Sequence, residues 1–136
     1  MFKWLRNRKK PPPDIPHPAL KGSPTHPRAK TYSATNGYVY QYVYSGYRTL
    51  ADGDEYVFQA SRGRDRFPVR VRVTHQELGG CEVRIGRKVL NQERYALAKM
   101  ALFSAFDSAD SAGGFDRPVA PDAATMTEYL QTLGRL

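Results

Sequence analysis

The chain has 136 residues, of which 40% are hydrophobic and 25% charged, with a formal net charge of +8. This length suits one compact domain, and the composition excludes a wholly disordered chain. No apolar run approaches the roughly 20 residues of a transmembrane helix, and the first residues lack the apolar core of a signal peptide. The single cysteine, Cys81, cannot form an intrachain disulfide, which favours a reducing compartment. We therefore expect a cytoplasmic protein, in the cytosol or at the cytoplasmic face of a membrane complex.

The positive charge is concentrated in residues 1–30. This segment has eight Lys and Arg residues against one acidic residue, Asp14, a net charge of +7, whereas residues 31–136 have a net charge of +1. It also has seven prolines, and proline is excluded from helix interiors and central strands. The sequence predicts a basic, Pro-rich extended arm over 1–30, followed by a single α+β domain over 31–136.

Period-two patterns predict a four-stranded, mainly antiparallel sheet over residues 37–86. The first strand is GYVYQYVYSGY, which begins at Gly37 and alternates tyrosine with smaller residues. EYVFQAS (55–61) and FPVRVRVTH (67–75) give the second and third strands. Gly79-Gly80 is typical of a turn, so CEVRIG (81–86) is predicted as the fourth strand.

The pattern becomes helical after residue 90. ERYALAKMALFSAFD predicts one long helix over about 91–107, apolar nearly all round and packed across the sheet. Residues 108–120 are predicted to be a linker. A short helix is predicted over 121–133, because four apolar residues follow the helical spacing: Met126, Tyr129, Leu130 and Leu133.

Little in the sequence indicates catalysis. It lacks the common phosphate-binding, dinucleotide-binding, zinc-protease and nucleophile-elbow motifs. Cys81 and His75 continue apolar strand patterns, so we expect a buried thiol and a core or strand-end histidine. His17 and His26 have no third metal ligand nearby in the sequence. We predict a protein that is not an enzyme, without cofactor or metal, and infer no small-molecule substrate.

The first functional hypothesis is an accessory subunit that docks on a larger protein or ribonucleoprotein assembly. The basic arm and the apolar helix would attach it, because extended segments bind partners through a few side-chain anchors. The predicted anchor residues are Phe2, Trp4, Leu5, Arg6, Arg8, Lys9 and Lys10.

The second hypothesis is binding to RNA or single-stranded nucleic acid. Residues 61–94 have nine basic and four acidic residues, and two groups of arginines stand out: Arg62, Arg64 and Arg66 in a predicted loop, and Arg70, Arg72 and Arg84 on the polar face of the predicted strands. Tyr40 and Tyr42 would offer stacking surfaces for bases if their rings faced solvent. The opposite face of that strand is only half apolar, which favours inward tyrosines. The arginines have their own alternative, a solvated face with Arg–Glu pairs.

The third hypothesis is peripheral membrane association through residues 1–10. Aromatic and basic side chains together favour reversible binding to an anionic bilayer surface. Pro11 ends any helix in this segment, so firm anchoring is not expected.

Overall fold

The computed structural model describes residues 18–110 and 112–136. They form an α+β domain with a four-stranded antiparallel sheet and three α-helices. The strands are β1 (Lys30–Ser33), β2 (Val39–Leu50), β3 (Gly53–Arg62) and β4 (Asp65–Thr74). The helices are α1 (His75–Ile85), α2 (Asn91–Ser108) and α3 (Ala123–Thr132), with a short 3₁₀ helix (Ala112–Phe115) between the last two.

The four strands lie in sequence order, and each is antiparallel to the next. Because side chains alternate along a strand, the sheet has an inner face toward the helices and an outer face away from them. The inner face is aromatic and β-branched, and its buried residues include Tyr40, Tyr42, Phe58, Val69, Val71 and Val73. On the outer face, Glu55 and Val57 are buried, whereas the remaining side chains are exposed or half-buried.

The fourth strand is not the one that the sequence predicted. Residues 81–86, predicted as a strand, belong to α1 and its C-cap, and Gly79-Gly80 lies inside this helix rather than in a turn. The fourth strand is β1, which pairs with residues 39–42. The sheet therefore begins at residue 30 and ends at residue 74, instead of spanning 37–86.

Local capping explains why α1 is helical despite two glycines. The Thr74 side chain accepts a hydrogen bond from the Glu77 backbone N–H at 3.2 Å, and Gly86 ends the helix in the left-handed region at φ 76°. Gly80 has a packing role, because a Cβ there would lie 3.0 Å from the Ala123 Cβ. It thus lets α1 and α3 approach closely, which offsets a helix cost of about 1 kcal/mol for a glycine.

α2 packs on the inner face of the sheet. It begins at Asn91, as predicted, and ends at Ser108, one residue beyond the predicted range. The ring of Phe106 stacks on that of Tyr40 with centroids 4.1 Å apart. The other buried apolar residues of the helix are Leu97, Ala98, Ala101 and Leu102.

The outward positions of α2 are polar rather than apolar. Its exposed residues are Asn91, Gln92, Ser104 and Ser108. Half-buried aromatic residues are covered by this chain itself, since Tyr95 meets Tyr44 at 4.8 Å between ring centroids. In the same way, Phe103 stacks on Tyr32 at 4.3 Å. The sequence predicted a helix that is apolar nearly all round. In the fold, α2 has no exposed apolar face.

Residues 18–23, which fall within the predicted arm, lie along the edge of β2. Lys21 exchanges two backbone hydrogen bonds with Tyr47, of 2.7 and 2.9 Å. β2 has a bulge next to Gly46. Gly46 makes room for the contact with Lys21, because a Cβ at this position would lie 2.7 Å from the Lys21 carbonyl oxygen. The boundary at residue 30 stays a prediction, and residues 1–17 of the arm lie outside the described residues.

We predict that Leu102→Ala lowers the free energy of unfolding by about 2–5 kcal/mol, because it leaves a cavity between α2 and the sheet. Chemical denaturation monitored by circular dichroism measures the change. The control is Ser104→Ala, which alters an exposed position of the same helix and should change stability by less than about 0.5 kcal/mol. Equal effects of the two substitutions would contradict the placement of α2.

Candidate functional site

The predicted anchor residues of the arm all fall within residues 1–10, outside the described residues. The arm's role in docking, and the membrane hypothesis that uses the same residues, therefore remain predictions from sequence. Within the part of the chain that the structure describes, no helix is long and apolar enough to cross a membrane.

Tyr40 and Tyr42 do not offer open ring faces to a base. Both are buried on the inner face of the sheet, and each contacts Phe106. The role predicted for them in base stacking is therefore wrong for this fold. The alternative interpretation, in which the tyrosines point into the core, is the one that the structure supports. Along β2 the tyrosines alternate with smaller residues. The smaller residues lie on the outer face, so the tyrosine rings lie on the inner face and pack on α2.

The arginines predicted to act together lie on different parts of the molecule. Arg64 is in the β3–β4 turn, whereas Arg62 sits over the Tyr38 ring at 4.0 Å. Arg66, Arg70 and Arg72 follow the outer-face register of β4. Arg84, predicted on a strand, lies on α1.

Outer-face arginines are engaged within the protein. The buried Glu55 carboxylate accepts hydrogen bonds from Arg48 at 3.1 Å and from Arg72 at 2.9 Å. Arg70 donates to the backbone carbonyl of Asp116 at 2.7 Å. Of the arginines singled out in the sequence, Arg72 thus forms an Arg–Glu pair, as the alternative of a solvated face with such pairs expected, whereas Arg70 bonds a backbone carbonyl.

Cys81 and His75, the two residues of the domain considered for chemistry in the sequence, both lie on α1. Cys81 is buried, as expected, but on α1 rather than on a strand. His75 is the exposed first residue of α1, directly after β4. Within residues 18–110 and 112–136, no three His, Cys, Asp or Glu side chains are grouped so that they could hold a metal ion.

An exposed apolar surface lies where α1, the start of α2 and the end of α3 meet, and the sequence did not predict it. Val83 has 82% of its surface exposed, and three leucines at the start of α2 and after α3 are also exposed: Leu90, Leu133 and Leu136. We refer to these four residues, with the surrounding Arg84, Arg87, Lys88 and Arg135, as the apolar–basic surface.

Two shallow grooves run across the apolar–basic surface. One, of about 420 Å³, is lined by Gly79 and Val83. The other, of about 520 Å³, is lined by Leu90 and Gly134. Arg87 and Lys88 line both grooves, so the two grooves are adjacent and these two cations lie between them.

The carboxylate of Glu93 connects the segments that form this surface. Its buried carboxylate accepts hydrogen bonds from Arg87 at 2.8 and 3.0 Å and from Arg135 at 3.0 Å. It also accepts one from the Leu90 backbone N–H at 2.9 Å. These bonds, first those from Arg87 and then that from Leu90, lower the pKa of Glu93 to about 2. One carboxylate thus ties the α1–α2 connection and the end of the chain to the first turn of α2.

A helical interpretation of residues 75–85 would have revealed this surface. The sequence Thr74-His-Gln-Glu77 has the pattern of a capping box, and Leu78, Cys81 and Ile85 then follow helical spacing. On such a helix Val83 falls on the opposite face, away from the core. The Gly79-Gly80 pair concealed this signal.

We predict that Glu93 stabilises the fold in a pH-dependent way. Its pKa is lower in the folded chain, about 2 against an ordinary 4.5, so its contribution is complete above about pH 4.5 and is lost as the pH falls toward 2. Glu93→Gln should reduce stability at pH 7 by about 1.5–3 kcal/mol, the range for hydrogen bonds to charged groups.

Thermal melts of both proteins from pH 7 to pH 2 measure this effect. The difference between them should shrink steadily below about pH 4.5, because the wild-type carboxylate becomes protonated. Glu128→Gln, at an exposed position of α3, is the control. A constant difference between wild type and Glu93→Gln at every pH would contradict the role of the charge.

Comparisons of the chain with protein-family models, curated proteins and solved structures gave no significant match. No relative supplies a function, a partner or a set of site residues. What the chain does must therefore be inferred from its own residues.

Proposed function

We propose that this chain is a non-catalytic accessory protein that docks on a larger assembly through its apolar–basic surface. The exposure of Val83, at 82%, is the observation that carries the proposal. A β-branched apolar side chain that is mostly open to water, beside a groove that shares Arg87 and Lys88 with the groove of the exposed Leu90, is typical of an interface that is covered in a complex.

The energy available on this surface is sufficient for a specific contact. Complete burial of one Val or Leu side chain contributes about 1.5–3 kcal/mol. Val83 and Leu90 lie next to grooves that share Arg87 and Lys88, so a partner can seat apolar side chains between cations. Aliphatic anchors surrounded by a polar rim are the usual arrangement of a protein interface.

The charge of the apolar–basic surface indicates the chemistry of its partner. The surface has four basic residues, Arg84, Arg87, Lys88 and Arg135, against the nearby Glu82 and Glu93. Lys88 has 90% of its side chain exposed, with its ammonium nitrogen 3.9 Å from a carboxylate oxygen of Glu82. We infer that the partner presents an acidic segment with apolar side chains, because complementary charge at the rim steers association and selects the partner.

The proposal keeps the arm as an attachment but not α2. The arm, through the anchors among residues 1–10, remains a second attachment that the sequence predicts. Since α2 exposes only polar positions, docking is assigned to the apolar–basic surface instead of this helix. Two separated attachments would raise the overall affinity by making the second contact intramolecular.

Val83→Glu should weaken docking by about 30-fold or more, the effect of losing a central anchor of 2 kcal/mol. The matched control is Val39→Glu, because Val39 is also an exposed valine, at 53%, but lies on β2. Each protein is used to capture partners from cell extract, and the affinity of any recovered partner is then measured by calorimetry. The proposal requires a partner retained by wild type and Val39→Glu but lost from Val83→Glu.

Retention of the same partner by all three proteins would refute docking through this surface. Loss of the partner only when residues 1–10 are removed would assign docking to the arm alone. Thermal melts of the purified variants exclude unfolding as the cause, because exposed substitutions change stability by about 0.5 kcal/mol or less.

The outer face of the sheet supports a second candidate, binding of RNA or single-stranded nucleic acid. Four arginines on this face, Arg48, Arg66, Arg70 and Arg72, stand against Glu55. A groove of about 410 Å³ there is lined by Gln41, Val43, Gln59, Ser61 and Arg66. With Tyr40 and Tyr42 buried, such binding would use phosphate contacts rather than stacking on these rings.

If the chain binds single-stranded RNA, the affinity should fall steeply with salt, by a slope of about −0.7 in log K against log salt for each phosphate contact. Fluorescence anisotropy with a labelled oligonucleotide at several salt concentrations measures the slope. Arg66→Gln should make it shallower, whereas Arg84→Gln, on α1, should leave it unchanged. Absence of binding even at low salt would remove this candidate.

A further inference from the structure

A cavity of about 420 Å³ lies between the inner face of the sheet and the start of α2. Its walls are mainly the rings of Tyr44, Tyr47, Tyr56 and Tyr95, and Gly22 closes one side. The rings form two pairs, with 4.8 Å between the centroids of Tyr44 and Tyr95 and 5.7 Å between those of Tyr47 and Tyr56. A volume of this size is in the range of pockets for small molecules.

Three tyrosines of this cavity have hydroxyls that stay protonated at neutral pH. Burial raises the pKa of Tyr56 to about 12 and raises those of Tyr44 and Tyr95 above the ordinary value, so the phenols keep their protons. Among the described residues, the tyrosine hydroxyls that have hydrogen-bond partners are those of Tyr32 and Tyr40, neither of which lines the cavity.

The cavity is also lined by a positive and a negative group, and among the described residues no ion pair joins the two. Arg94 lines it, and its buried Nε has no hydrogen-bond partner among the described residues, while one terminal nitrogen donates to Asn91 Oδ1. Asp54 lines the same cavity. The acidic residues that form ion pairs in the described chain are Glu55, Glu82 and Glu93, not Asp54.

We propose that this cavity, the tyrosine pocket, binds a small aromatic zwitterion such as an aromatic amino acid. The ring of the ligand packs against the tyrosines, its carboxylate binds the guanidinium of Arg94, and its ammonium group binds the carboxylate of Asp54. Aromatic pairs and charge-assisted hydrogen bonds are the interactions that such a site provides.

Each simpler ligand leaves part of the pocket unused. A plain anion satisfies Arg94 but meets the negative charge of Asp54. A plain cation binds Asp54 and the ring faces but is repelled by Arg94. A neutral apolar molecule offers no counter-charge to the guanidinium of Arg94 or to the carboxylate of Asp54. A zwitterion with an aromatic body satisfies all three features.

A matched ligand series tests the proposal with the wild-type chain. Calorimetry compares L-tryptophan with tryptamine, which lacks the carboxylate, and with indole-3-propionate, which lacks the ammonium group. L-tryptophan should bind at least about tenfold more tightly than either, the effect of losing one hydrogen bond to a charged group. Equal affinity for all three, or no binding of L-tryptophan at millimolar concentration, overturns the proposal.

Two variants then assign each charge to its partner. Arg94→Gln should weaken the binding of L-tryptophan by about tenfold or more, whereas tryptamine, no longer repelled by this charge, should bind at least as tightly as to wild type. Asp54→Asn should weaken the binding of L-tryptophan but not the binding of indole-3-propionate. Arg64→Gln, in the exposed β3–β4 turn, is the control and should bind like wild type. If a variant does not fold, the wild-type ligand series still decides the question.

Phosphocholine serves as the competing ligand because it is a zwitterion without an aromatic ring. Tyrosine rings also bind methylated ammonium groups through cation–π contacts. Weaker binding of phosphocholine than of L-tryptophan supports the aromatic class, and tighter binding overturns it. Tyr95→Leu, which removes one ring, should weaken L-tryptophan more than the control variant does.

Discussion

The contact between Tyr40 and Phe106 fixes how the sheet meets α2. Their rings stack with 9° between the ring planes, and both are buried at the centre of the core. Because the pleat places Tyr42 and Tyr44 on the same face as Tyr40, this one contact sets the height of α2 along β2. It brings Tyr95 against Tyr44 and thereby forms one wall of the tyrosine pocket. The pocket is thus a consequence of core packing and is not a separate addition to the fold.

The same packing places the basic residues of the domain on two separate surfaces. Inward tyrosines require the outer face of the sheet to be the polar one, so the arginines of β4 point away from the helices. There the buried Glu55 holds Arg48 and Arg72, while Glu93 holds Arg87 and Arg135 on the far side of the core. Two buried carboxylates therefore organise two basic surfaces, and each has a groove. The surface around Glu93 has the more exposed valine, since Val83 is 82% exposed against 53% for Val39 on the outer face of the sheet, and this difference favours a protein partner there.

The sequence was sufficient for features that depend on local periodicity. The α+β class, the hairpin strands and the start of α2 at Asn91 follow from alternation and helical spacing alone. It failed for residues 81–86 because Gly79-Gly80 resembles a turn, while the reason for Gly80, its close approach to Ala123, lies 43 positions further along the chain. β1 was missed because four residues, KTYS, have no strand pattern of their own; their pairing with β2 is a tertiary contact.

The candidate sites were less predictable than the fold, for a physical reason. Both depend on side chains from elements distant in sequence, such as Val83 with Leu136, or Asp54 with Arg94. Yet both meet at the first turn of α2, where Leu90 and Glu93 face the apolar–basic surface and Asn91 and Arg94 face the tyrosine pocket. Two sites influence each other only if binding at one changes an element that the other uses. The hydrogen bonds of Glu93 to Arg87, Arg135 and Leu90 hold this turn in place, so an occupant of the tyrosine pocket meets a turn already fixed. The arrangement therefore favours two sites that act independently as long as Glu93 is ionised.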